Sequence, residues 1–504
     1  MPKRNCSTTI AIIGGGFSGS MVAAQLLRAA TIPLNIKLIE RNSLLGRGVA
    51  YGTSSPYHLL NVPAGQISAL PNDPDHFLRW VKRQNVTVGT FVTSEVTANS
   101  FVPRKIYGAY VQSILDDAET TAPSYVHLER ITDEAIAIEP ANIGATLYLS
   151  NGQTIQADQI VLALGNFPPA NPPIQDRSFY NSSRYKGNAY SADVLTDLDA
   201  DDSVLLIGSG LTMVDLTLTL FQQGHRGKIY TVSRHGLLPL AHKTTPCISL
   251  ISPFIAIDQA PKTVRVLMHL VRQQVQSAAA CGQDWRVVLN SLRPITQSLW
   301  QTLPLSEKRR FLRHVRAYWD IHRHRIAPEV AEVINKLVSS GQLDVHAGRI
   351  QAYREDSCGV DVTVRKRHTT DDIVLRVNRV INCTGPASNY EKLTHPFVKS
   401  LLSQGLVCCD VLGMGLKTAA SGALLDATGI ASKFLYTLGP TRQGDLWETI
   451  AVPEIREQAM LLTQELLSSP PLETVRSSEQ VSVKGMASLS GHQLVGIGFV
   501  RKSS

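Results

Sequence analysis

An α/β fold of two modules, one inserted into the other, is predicted by a plan that the chain repeats. Each copy has a strand, a glycine-rich turn and a helix, and each closes on a hairpin and a second apolar strand. The first copy opens at Thr9–Ile13, turns through Gly14, Gly15, Gly16, Phe17, Ser18 and Gly19, and continues as the helical pattern Ser20–Ala30. The second opens at Ser203–Ile207 and turns through Gly208, Ser209, Gly210, Leu211, Thr212 and Met213. Such a turn brings backbone N–H groups close to a pyrophosphate, and the positive end of the helix adds to the attraction. Both copies are therefore read as Rossmann-like dinucleotide-binding modules.

The end of the next strand separates the two copies. The second strand of the first copy, Asn35–Ile39, ends in Glu40 with Arg41 beside it. A carboxylate there accepts hydrogen bonds from ribose hydroxyls and repels a 2′-phosphate. In the second copy Gly227–Val232 ends in Ser233 and Arg234, and by residue count Arg234 holds the place of Glu40. Arginine grips a phosphate through two parallel bonds, and Ser233 offers a hydroxyl to the same group. The first site is thus expected to take a dinucleotide with free ribose hydroxyls, and the second NADP. Met213 replaces the third glycine, so the second fingerprint is degenerate.

The closing segments match as well. Ala145–Leu149 and Thr154–Gln156 flank Asn151 and Gly152, a hairpin signal, and Gln159–Leu164 then ends at Gly165. Gly359–Arg365 and Ile373–Val377 form the second hairpin, and Val380–Cys383 leads to Gly385. Within the first copy, Asp73 and Pro74 read as one helix start and Pro103 and Arg104 as another.

Composition supports an ordinary globular protein. The 504 residues are 43% hydrophobic and 18% charged, with a net charge of +8. That balance suits a holder of phosphorylated cofactors; no nucleic-acid reader motif and no bilayer-length apolar run is present. Seven scattered cysteines, none in a Cys-x-x-Cys pair, and no room for a signal peptide before the first strand lead to the expectation of a reduced, cytoplasmic protein. They also argue against disulfide reduction.

The stretches GRGVAYGT, HLLNVP, ALPNDPDHFLRW, FVPRKIYGAY, GSGLTMVD, SRHGLLPLAH, INCTGP and GDLWETIAVPEIREQA resemble bacterial FAD/NAD(P)-binding proteins. That group is similar in plan to the flavin-dependent N-hydroxylating monooxygenases, and the resemblance covers about residues 8 to 465. It implies an NADP module inserted into an FAD module. The FAD module would span 1–197 and 379–467, the NADP module 198–378, with a helical insert at about 255–335. Gly14, Gly16 and Gly19, with Phe17 and Ser18 between them, would hold the FAD pyrophosphate, and Glu40 the adenosine ribose. Arg41, Arg47 and Arg104 would assist; Asn61 would lie near the isoalloxazine and Gly165 under the cofactor. Gly439 would pass the ribityl chain, although Pro440 stands where such proteins often carry aspartate. Glu448 and Thr449 would precede a helix, Pro453–Leu467, whose positive end faces the flavin's pyrimidine side. Gly208, Gly210, Leu211, Thr212, Ser233, Arg234 and Gly385 would hold NADPH. No catalytic residue and no metal site is named, His322 and His324 being two apart on a helix.

The insert is densest in charge from Lys308 to Arg325, with Phe311, Leu312, Val315 and Trp319 at helical spacing. This is either a lid over the active site or a solvated helix packed by its apolar stripe. A tail of unknown role begins at Ser468; the apolar content of 486–490 and 493–500 could add a strand or a pair.

The implied chemistry is FAD-dependent oxidation with NADPH as hydride donor, on a small molecule that is acidic or amine-bearing. Monooxygenation, NADPH oxidation without oxygen insertion, and non-enzymatic flavin binding are all compatible with the sequence. Ketone oxygenation is disfavoured, because the segment from Arg184 to Tyr190 lacks the histidine and tryptophan of Baeyer–Villiger enzymes.

Overall fold

The structure is a computed structural model that describes residues 7–84, 95–243 and 262–468. The expected strands at 486–500, the tail and the first part of the insert lie outside the described residues.

The first module contains β1 (Thr8–Ile13), α1 (Phe17–Ala29), β2 (Leu34–Glu40), α2 (Gly48–Tyr51), α3 (His76–Arg83), α4 (Arg104–Thr121) and β3 (Val126–Thr132). It continues with β4 (Ala135–Pro140), β5 (Ala145–Leu149), β6 (Thr154–Ala157) and β7 (Gln159–Leu162). The second contains β8 (Tyr185–Lys186), β9 (Val204–Ile207), α5 (Leu211–Gln222), β10 (Ile229–Ser233), β11 (Leu343–Asp356), β12 (Gly359–Lys366), β13 (Asp372–Val377) and β14 (Arg379–Asn382). The chain then returns to the first module with β15 (Ala423–Leu425), β16 (Ala431–Thr437) and a final helix, Val452–Ser468.

Among the described residues the strands form three sheets. One runs β15-β16-β7-β1-β2-β3, one β13-β12-β11-β10-β9-β14-β8, and β4-β5-β6 is a small antiparallel meander. The central pairs of both large sheets are parallel, so their strands are buried on two faces and read as continuous apolar runs. Helices cover those faces. Met21, Val22, Leu26 and Leu27 of α1, Tyr107, Tyr110 and Ile114 of α4, and Ile455, Ala459 and Leu462 of the final helix join one core. In the second module Met213, Val214 and Leu218 of α5 pack with Val330 and Ile334 of the Pro328–Ser339 helix.

Two expectations need correction. The module boundaries at 198 and 378 are displaced, because β8 and β14 both belong to the second sheet, where β14 lies between β9 and β8. Residues 185–186 and 379–382 therefore belong to the inserted module, through pairings that are remote in sequence. The helix expected at Asp73 and Pro74 begins instead at His76, with Asp75 as its N-cap. The Asp73 carboxylate is taken by Arg79, which holds it below the usual carboxylate range.

Candidate functional site

Matching pairs of backbone bonds hold the two glycine turns. Gly14 N–H donates to the Ile39 carbonyl and Ala163 N–H to the Ile13 carbonyl, each at 2.8 Å. Gly208 N–H donates to Val232 and Cys383 N–H to Ile207, again each at 2.8 Å. Gly14 and Gly208 have φ of 107° and 104°, in the left-handed region. A Cβ on either would meet the next strand's carbonyl, 2.3 Å from Ala163 O or 2.7 Å from Cys383 O. Only glycine fits where the chain crosses both sheets so closely.

These matches also fix the register, and they correct the residue count that set Arg234 against Glu40. Ile13 pairs with Ile39 and Ile207 with Val232, so the second unit is one residue shorter and Ser233 occupies Glu40's place. Arg234 is the counterpart of Arg41. One difference in chemistry survives the shift: a hydroxyl replaces the carboxylate, while the guanidinium that follows, Arg41 or Arg234, is exposed in both. Glu40 accepts from Gly15 N–H at 2.8 Å, and Ser233 accepts from the Ser209 hydroxyl at 2.8 Å and from Gly236 N–H at 2.9 Å.

A cleft of about 700 Å³ opens beside the first turn, lined by Gly14, Gly16, Glu40, Arg41 and Gly165 among others. It runs on past Glu134 and His395, which pair at 3.2 Å, and past His58 and Tyr190. The lining has bare glycine backbone, the Glu40 carboxylate, and Gly165, where a Cβ would meet nothing within 4 Å. Sequence reading missed His58, Tyr190, Thr219 and His395, which come from four separate segments and carry no shared pattern.

Other expected residues lie elsewhere. Phe17 is buried among Tyr51 and Tyr107, with ring centroids 6.3 and 6.2 Å away. Gly19 packs on the Gly14 carbonyl, and Ser18 Oγ lies 3.0 Å from where a Gly439 Cβ would stand. Arg47 abuts Gly108 of α4 and has a buried Nε without a hydrogen-bond partner. Asn61 offers its carbonyl to His242 Nε2 at 3.0 Å. Gly210 caps α5, leaving the first amides of Leu211 and Thr212 at the helix's positive end. The backbone of Gly385 comes after β14 with open space around it.

Arg104 and Glu448 depart most from expectation. Arg104 Nη1 donates to Asp215 Oδ2 at 2.7 Å and its Nε to the Leu59 carbonyl at 3.0 Å, so the guanidinium joins α4 to α5 and does not line the cleft. Burial works against its charge, but Asp215 and Tyr190 outweigh burial and hold it above its ordinary value. Tyr190 donates to the same carboxylate at 2.9 Å, and His58 Nε2 lies 3.1 Å from the Asp215 carbonyl. The buried Glu448 carboxylate faces the insert, accepting from Trp319 Nε1 and Arg323 Nη2, each at 3.2 Å. Thr449 donates to the Gly439 carbonyl at 2.9 Å, fixing the turn before the final helix.

The insert's apolar stripe is a packing face. Phe311, Leu312 and Trp319 meet Trp300, Leu303, Met414 and Trp447. The run expected as one helix breaks at Val315, giving Leu305–His314 and Arg316–Arg323. Among the described residues, no three potential metal ligands cluster and no helix is long and apolar enough to cross a membrane.

The FAD-NAD(P)-binding family matches residues 11–167. No curated protein gave a significant match. Solved structures do. An ornithine N-hydroxylase of Kutzneria is 13% identical with a TM-score of 0.57, over 91% of this chain and 99% of that one. The L-lysine 6-monooxygenase of Pseudomonas syringae is 14% identical with a TM-score of 0.59, over 91% and 99%. A cadaverine monooxygenase of Erwinia amylovora, solved with FAD, is 11% identical with a TM-score of 0.60, over 96% and 99%. The chain thus matches the FAD-NAD(P)-binding family over residues 11–167 and, as a whole, has the two-dinucleotide-binding fold of these monooxygenases.

Proposed function

We propose that this chain is an FAD-dependent monooxygenase that draws hydride from NADPH and hydroxylates a small amine, working in the cytoplasm. The observation that carries the reading is the paired turn: matching backbone bonds in both, with the Glu40 carboxylate beside the first and the Ser233 hydroxyl in its place beside the second. The fold shared with an ornithine N-hydroxylase and with lysine and cadaverine monooxygenases supports the amine. The cytoplasm is favoured by the described cysteines, all unpaired.

FAD, when bound, supplies a hydride acceptor and the means to activate oxygen. The chain's own work is to hold and orient. Gly14 and Gly16 would admit the pyrophosphate, Glu40 the ribose hydroxyls, and Gly165 the passage of the cofactor. The opening amides of α5, at Leu211 and Thr212, would hold the NADPH pyrophosphate. The final helix would turn its positive end toward the flavin, and Thr449 would keep the Gly439 turn in place.

The test is anaerobic reduction of the FAD-loaded protein by NADPH and NADH, and then aerobic turnover with primary amines and isotopically labelled oxygen. Faster reduction by NADPH, amine-dependent NADPH consumption and label in a hydroxylated amine are expected. Peroxide without labelled product would overturn the monooxygenase reading, and failure of NADPH to reduce the protein would overturn the hydride route.

A further inference from the structure

The strand ending at Ser233 has a neighbour remote in sequence. Ser233 pairs with Ala347 of β11, and the Arg367 N–H, in the turn of the β12–β13 hairpin, donates to the Ala347 carbonyl at 2.9 Å. The hairpin turn is therefore held to β11 at the residue that pairs with the end of β10. It is closed by the Lys366 N–H, which donates to the Asp371 carbonyl at 2.9 Å, and His368 within it has a φ of 62°. On the other side, a Cβ on Gly236 would come within 3.1 Å of Ala347, so the chain leaving β10 is pressed against the same spot.

This packing gathers Arg234, His235, Arg367 and His368 without a carboxylate to balance them. The acids nearby are engaged elsewhere: Asp372 accepts from Arg365 Nη2 at 3.0 Å, and Asp344 lies 3.6 Å from His346 and 3.8 Å from Lys228. Asp371 is exposed and pairs with neither arginine. Arg234 is exposed and Arg367 half-buried, and neither forms an ion pair with a described residue. Burial, and then the charges of Arg367, Arg234 and His368, hold the His235 imidazole below its ordinary range. Like charges brought together by backbone bonds repel, and an anion between them relieves that repulsion.

We propose that Arg367, aided by His368, forms with Arg234 a two-sided clamp for the 2′-phosphate of NADPH. The clamp rests on the reading of the second turn as the NADP site. It also answers what a single exposed arginine leaves open: two guanidinium groups on separate turns fix a phosphate's position as well as its charge.

The test is calorimetric binding of 2′,5′-ADP and of 5′-AMP to the full-length, FAD-loaded protein and its variants. Arg367→Ala should weaken 2′,5′-ADP by roughly 10- to 100-fold, the worth of a charge-assisted bond, and leave 5′-AMP unchanged. Arg367→Lys should recover part of the loss, and Arg365→Ala on the same hairpin should lose nothing. Unchanged 2′,5′-ADP affinity in Arg367→Ala, or equal losses for both ligands, would overturn the clamp. If Arg234→Ala then still loses 2′,5′-ADP selectively, the NADP reading survives without the clamp. If the unmodified protein binds 2′,5′-ADP no better than 5′-AMP, the NADP reading itself falls. Should Arg367→Ala fail to fold, Arg367→Gln, which also keeps the backbone bond to Ala347, carries the same comparison.

Discussion

Single residues at the join between the modules carry more than their type suggests. Asp215 is the lone charge in the apolar run of α5, and its side chain is 5% exposed against Arg104 at 14%. Removing one member of a buried pair strands the other, so Asp215→Ala should cost about 3–5 kcal/mol in denaturant unfolding. Replacing both, Arg104→Met with Asp215→Leu, should recover much of that loss; a double variant as unstable as the single one would show that the pair is not the cause. Gly208→Ala should be damaging for a different reason, since φ at 104° and a carbonyl 2.7 Å from the new Cβ leave the methyl no room. A variant with unchanged melting temperature and unchanged NADPH affinity would refute that account. The Gly14 and Gly208 turns were legible in the sequence because a strand that crosses its neighbour so closely before a helix admits only glycine. The partner of Asp215 was not, because Arg104 is paired with it through tertiary packing alone. The one-residue error at Arg234 has the same origin: counting cannot see that the second unit is shorter before β10.

At the scale of elements, the strands and hairpins that were expected form almost to the residue, since buried parallel strands are apolar throughout and Asn151 with Gly152 marks its own turn. The half-exposed β3 and β11 were not read as strands, and neither were short ones. β8 has two residues and exists only because β14 lies beside it. The insert was legible as amphipathic helix, but not what its stripe would meet. It meets Trp447, whose φ of 60° is unusual for a bulky residue and which stacks on Trp300 with centroids 5.0 Å apart. Trp300 also donates its indole N–H to the Gly444 carbonyl at 2.8 Å, and Arg293 binds Glu454 through two bonds of 2.7 and 2.9 Å. The insert is thereby fastened to the segment that opens the final helix. Trp300→Ala should remove about 3–5 kcal/mol and speed hydrogen exchange in residues 264–323 and 443–452 together. Faster exchange in the insert alone would mean that the two segments are not coupled.

For the molecule as a whole, the contacts between modules include histidines that fold in their neutral form. His242, in the second module, donates Nε2–H to the Asn61 carbonyl of the first and lies against Phe101, ring centroids 5.1 Å apart. Burial, and then Arg325, lower its imidazole to about 4; burial also brings His324 to about 4, with Asp320 partly opposing. An unfolded histidine titrates near 6.5, so between pH 6.5 and 4 the unfolded chain binds more protons than the folded one. The stability these groups lend is whole above about pH 6.5 and is lost as the pH falls toward 4. The raised carboxyls of Asp320 and Asp410 act in the opposite sense, so a comparison of variants is cleaner than the shape of one curve. His242→Gln keeps an N–H donor near Asn61 but cannot charge. Its melting temperature should therefore decline less between pH 7 and 4.5 than that of the unmodified protein, with the two similar at pH 7.5. Parallel declines would mean that His242 takes up its proton alike in the folded and unfolded states, and the acid sensitivity of the join would have to lie in other groups.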